Sequence, residues 1–97
     1  MLNVNENFLI GHWIEDVNIQ DKDEYAEMII GEDGTLIYIN NLKNEIHKFI
    51  LTYQIEGDTL ITDQPSSPEI VRSKYLITPD HKLIITYGSI STCFRKK

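Results

Sequence analysis

A chain of 97 residues with 41% hydrophobic and 25% charged residues has the composition of one globular domain with a single modest core, not of a disordered segment. No apolar run approaches the roughly 20 residues of a helical membrane span. The start MLNVNENF has neither the basic residue nor the apolar segment of a secretory signal. Read as a complete chain, it is expected in the cytoplasm with no membrane partner. The single Cys93 fits that compartment, because one cysteine builds no internal disulfide framework.

The net charge of −6 is gathered early. Residues 1–34 hold nine acids against one lysine, and the rest of the chain holds eight bases against six acids. Such a front repels phosphate backbones, which argues against nucleic acid, and it attracts a basic protein. The alternative is a solvated acidic edge that only serves solubility.

In chain order, Phe8 to Glu15 reads as the first strand. Tyr25 to Glu32 and Thr35 to Asn40 flank Asp33-Gly34, a dipeptide that predicts a type I′ hairpin with positive φ at both central residues. Ile46 to Ile55 alternates cleanly, with His47, Phe49, Leu51, Tyr53 and Ile55 on one face. Thr59 to Asp63 follows the turn Glu56-Gly57-Asp58, and Gln64 to Pro68 is a loop because neither proline can donate to a ladder. Ile70 to Thr78, Lys82 to Tyr87 and Ile90 to Lys96 complete about eight strands. Asp21 to Met28 holds good helix formers, so a short helix after the first strand stays open. The expected fold is all-β, one domain over residues 1–97, a small antiparallel up-and-down barrel. Closure removes the two edges that an open sheet of this size would expose.

Gly11-His12-Trp13 on the first strand, Glu32-Asp33-Gly34-Thr35 at the hairpin and Arg95 in Thr92-Cys93-Phe94-Arg95 resemble the pattern of the lipocalin and fatty-acid-binding (calycin-like) superfamily. The resemblance implies that Trp13 plugs the closed end of the barrel and that Arg95 lies across its ring, a cation–π contact of roughly 0.5–2 kcal/mol. It also implies a carrier of an apolar ligand. The chain departs from the family in length, and its inward faces are crowded with Phe49, Leu51, Tyr53, Tyr75, Ile77, Ile85 and Tyr87. An eight-stranded interior is just wide enough to be filled by such side chains.

Catalytic patterns are sparse. His12, His47 and His81 form no metal-spaced motif, and Cys93 sits on the last strand beside bulky residues, where packing is expected. Glu15-Asp16 and Asp23-Glu24 are neighbours along the chain, so on a strand they point to opposite faces instead of converging. No phosphate loop, nucleophile elbow or dinucleotide fingerprint is present. The chain is expected to be no enzyme and to carry no metal or cofactor.

The acids Glu15, Asp16, Asp21, Asp23, Glu24 and Glu27 crowd the end of the first strand and the connection after it, with Tyr25 among them and Ile19 nearby. In an up-and-down barrel that connection lies at one rim. Those carboxylates and Tyr25 are the expected partner-binding residues, while Gly11, Trp13 and Arg95 are expected to be structural. Small acidic non-enzymatic β domains of this type resemble bacterial immunity proteins, which neutralise a toxin, often a basic nuclease. The expected function is therefore a protein-binding inhibitor that covers such a partner's cleft. The alternative is the lipocalin-like carrier.

Overall fold

A computed structural model of the chain describes residues 8–16 and 24–97. It contains β1 (Gly11–Glu15), β2 (Tyr25–Ile30), β3 (Thr35–Asn41), β4 (Ile46–Glu56), β5 (Thr59–Asp63), β6 (Ile70–Ile77), β7 (Lys82–Tyr87) and β8 (Ile90–Lys96). Each strand pairs antiparallel with the next, and β8 returns to β1 to close an eight-stranded barrel. The all-β, up-and-down reading of the sequence holds. The helical option over Asp21 to Met28 does not hold from Tyr25 onward, because Tyr25–Ile30 is strand β2, and its part at residues 21–23 lies outside the described residues. Phe8 to Ile10, expected on the first strand, stand outside the sheet.

The β2–β3 hairpin differs from the type I′ expectation. Gly31 N donates to Thr35 O at 2.8 Å, which leaves Glu32-Asp33-Gly34 as a three-residue loop. Only Gly34 has positive φ, at 86°. A left-handed residue in the last loop position is what a three-residue hairpin requires. Asp33 Oδ1 accepts from Thr35 N at 3.0 Å and closes the turn from the side.

Alternation sends one face of seven of the strands, together with Leu9, into a core of Leu9, Trp13, Ala26, Met28, Ile30, Leu36, Leu60, Tyr75, Leu83 and Phe94, and β4 packs Leu51, Tyr53 and Ile55 against it. Of the side chains expected inside, Leu51, Tyr53, Ile77 and Ile85 pack against this core. Tyr87 does not; it ends its strand and is exposed. The hairpin joining β2 to β3, the one joining β4 to β5 and the turn joining β6 to β7 share one end of the barrel with the start of β1. Two tyrosines reach that end from within: Tyr53 donates to Gly31 O at 2.6 Å and Tyr75 to Gly57 O at 2.9 Å.

Trp13 seals this end. Its side chain is 0% exposed, and its Nε1 donates to Leu9 O at 2.8 Å. A cation does lie over the ring, but it is Lys96, with Nζ 5.0 Å from the ring centroid and 2.6 Å from Ile10 O. Arg95 is the wrong residue by one position. Trp13 pairs with Lys96 and Ile14 with Arg95, so Arg95 points outward, where its Nε stands 3.9 Å from Asp16 Oδ1.

Gly11 carries φ of +138°, and a Cβ there would stand 2.7 Å from Lys96 Nζ. The ammonium can swing away, so the backbone conformation sets the cost. Gly11→Ala is expected to lose about 1–3 kcal/mol, seen as a lower urea midpoint with an unchanged slope.

Candidate functional site

The other end of the barrel gathers the end of β1 with Asp16, Glu24 at the start of β2, and the connections Leu42–Glu45, Gln64–Glu69 and Gly88-Ser89. Strand β1 is short here. Its last pairing places Glu15 opposite Phe94, so Ile90 to Thr92 of β8 continue past it without a β1 partner among the described residues. The result is a notch in the wall between β8 and β2. A cavity of about 220 Å³ occupies it, walled by Glu15, Glu24, Ala26, Tyr38, Asn40 and Thr92 among others. A second cavity of about 200 Å³, bordered by Tyr38, Phe49, Leu51, Thr62, Gln64 and Val71, opens on the opposite side of Tyr38. Trp13 fills the centre of the other end, beside a wider open groove of about 590 Å³ bordered by Ile10, Glu32, Gly34, Tyr53 and Glu56.

The predicted partner-binding residues divide sharply. Glu15 points into the mouth, and its Oε1 accepts from Ala26 N at 2.9 Å. Glu24 is exposed and Tyr25 half-buried beside it. Asp21 and Asp23 lie outside the described residues. Asp16 sits on the outer wall and is occupied by the chain's own cations, with Oδ2 2.8 Å from Lys82 Nζ. That hydrogen bond and the Asp16 charge hold the Lys82 ammonium above its usual pKa.

Glu27 is not at the rim at all. It faces outward from the middle of β2 yet is only 8% exposed. Its Oε1 meets His12 Nε2 at 2.8 Å, its Oε2 accepts from Asn41 Nδ2 at 2.8 Å, and Lys97 Nζ stands 3.6 Å away. A carboxylate satisfied in this way by its own wall has nothing left to offer a partner. His12 thus faces away from Trp13, as alternation requires, and works in the wall.

Tyr38 stands between the two cavities. Burial first, and then the negative charge of Glu15, push its phenol pKa up. Among the described residues, no group of three or more His, Cys, Asp or Glu side chains is placed to hold a metal ion, and no helix is long and apolar enough to cross a membrane.

Sequence reasoning missed the apolar part of this end. Among the described residues the exposed large apolar side chains are Ile46, Ile50, Ile70, Leu76, Tyr87 and Ile90. Four of them, Ile46, Ile70, Tyr87 and Ile90, terminate strands at the mouth. Each begins or ends a predicted strand beside a polar loop, which was the available signal. The substitution of Lys96 for Arg95 was also visible, since a buried Phe94 forces Arg95 outward.

What the fold and this end define is a small closed eight-stranded antiparallel barrel with one plugged end and one notched mouth. No protein-family model, curated protein or solved structure matches the chain.

Proposed function

We propose that this protein is a non-enzymatic, cytoplasmic inhibitor of the immunity type, which binds a basic toxin, nuclease-like in charge, and covers its active-site cleft with the mouth of the barrel. The observation that carries this reading is the rim itself: Ile46, Ile70, Tyr87 and Ile90 are exposed there, at the same end as the exposed Glu24. Exposed apolar anchors ringed by charge are the make-up of a protein interface. The net charge of −6 would steer a basic partner toward it.

The hollows also bear on the carrier alternative: the groove at the tryptophan end, about 590 Å³, is open and lies outside the barrel mouth, and the mouth cavities are small. At about 220 and 200 Å³, each falls below the roughly 300–1,000 Å³ of pockets for drug-sized ligands. They suit an occupant the size of a side chain.

The test is co-purification with the basic product of an adjacent gene, followed by association kinetics across salt. The expected result is an on-rate that falls at least tenfold between roughly 0.05 and 0.5 M salt, as screening shortens the reach of the charges. Reversing Asp21, Asp23 and Glu24 to lysine should lower it similarly at low salt. Association that ignores both salt and charge reversal would sink the reading.

A further inference from the structure

We infer that the notch between β8 and β2 is a socket for one lysine side chain of a basic protein partner, an inference that rests on the inhibitor reading above. The cavity is the starting point. At about 220 Å³ it exceeds the roughly 150 Å³ that is enough for a benzene-sized guest, so a four-carbon stem fits inside. Ala26 and the ring of Tyr38 offer apolar wall for the methylenes. Glu15, Asn40, Thr92 and the Tyr38 hydroxyl supply oxygen acceptors, and an ammonium has three donors to place.

Charge selects the occupant. Asp16 and Glu27 are paired with cations of this chain, but no ion pair reaches Glu15 among the described residues. Among the described residues no lysine or arginine lines the cavity either. A negative group in a half-enclosed site without an internal counter-ion favours a cation from outside. The raised Tyr38 pKa reports the same field.

The geometry also separates lysine from arginine. Glu15 Oε1 already accepts from Ala26 N at 2.9 Å, which holds the carboxylate and leaves Oε2 as the freer oxygen, whereas a guanidinium fork engages both. A point-charge ammonium needs only one oxygen from Glu15.

The test uses the full chain and needs no partner. Backbone amide spectra are recorded during titration with n-butylammonium chloride, and in parallel arms with n-butylguanidinium and n-butanol. Saturable shifts at Glu15, Ala26, Tyr38 and Thr92 are expected with the ammonium, weaker ones with the guanidinium and none with butanol. Glu15→Gln keeps a carbonyl for Ala26 N, so the barrel should stay folded while affinity drops tenfold or more, the size of one charged hydrogen bond. Thr92→Leu, which fills the cavity with Glu15 in place, should abolish the shifts. The socket is overturned if butanol moves the same amides equally, if the guanidinium binds more tightly, if Glu15→Gln binds unchanged, or if no amide responds. Absence of any basic partner would instead overturn the inhibitor reading and leave a measured ammonium site standing.

Discussion

Trp13→Ala is expected to remove about 3–5 kcal/mol of stability, the cost of deleting a large buried aromatic from a core that cannot collapse around the gap. Several features put Trp13 at the upper end of that range. The side chain is fully buried, and its Nε1 holds Leu9 O. Leu9 is itself 2% exposed, so the turn that caps the barrel loses its anchor along with the ring. Lys96 loses the surface over which it reaches Ile10 O. A domain of this size has about 5–15 kcal/mol in total, so the variant should be largely unfolded at moderate urea. Far-UV circular dichroism is the readout, since the substitution removes the only tryptophan. A loss below about 1 kcal/mol would mean that the ring is not the plug.

Glu27→Gln is expected to cost about 1–3 kcal/mol near neutral pH, with a pH dependence that identifies the cause. Glutamine can offer its carbonyl to one of the two donors, Asn41 or His12, but its amide group then faces the other. Burial on its own would raise the Glu27 pKa. The hydrogen bonds from Asn41 and His12 and the charges of Lys97 and His12 outweigh burial and hold the carboxyl below its ordinary value. The folded state therefore binds this proton less readily than the unfolded chain does. The stabilisation is complete above the unfolded pKa and fades as pH falls through the lower folded value. Wild type and Glu27→Gln should differ most above about pH 5 and converge in acid. A gap that stays constant from neutral pH down to acid would mean that the charge of Glu27 contributes nothing.

Much of the fold could be read along the chain because a barrel strand writes its two faces as a period of two. Phe49, Leu51, Tyr53 and Ile55 showed their common face in this way, and Gly34 and Gly57 marked hairpins. The plug was legible too, since a single tryptophan following a glycine on the first strand has few other places to go. What misled was treating nearness in sequence as nearness in space. Arg95 and Lys96 differ by one position, and that step exchanges the inside of the barrel for the outside. Glu27 follows Glu24 by three positions, yet strand pairing with Ile14 and Ile39 carries it off the rim and into the wall.

By itself, then, the sequence determined an all-β up-and-down chain, the sign and location of its charge, and the tryptophan that closes one end. These follow from local alternation, turn chemistry and composition. Only the tertiary structure decided which carboxylates are free. Closure of β8 onto β1 brings Lys82 to Asp16 across 66 positions, and the pairing of β2 with its neighbours brings His12 and Asn41 to Glu27. The same closure leaves β8 longer than β1, and the notch holding Glu15 exists because two strands of unequal length meet there.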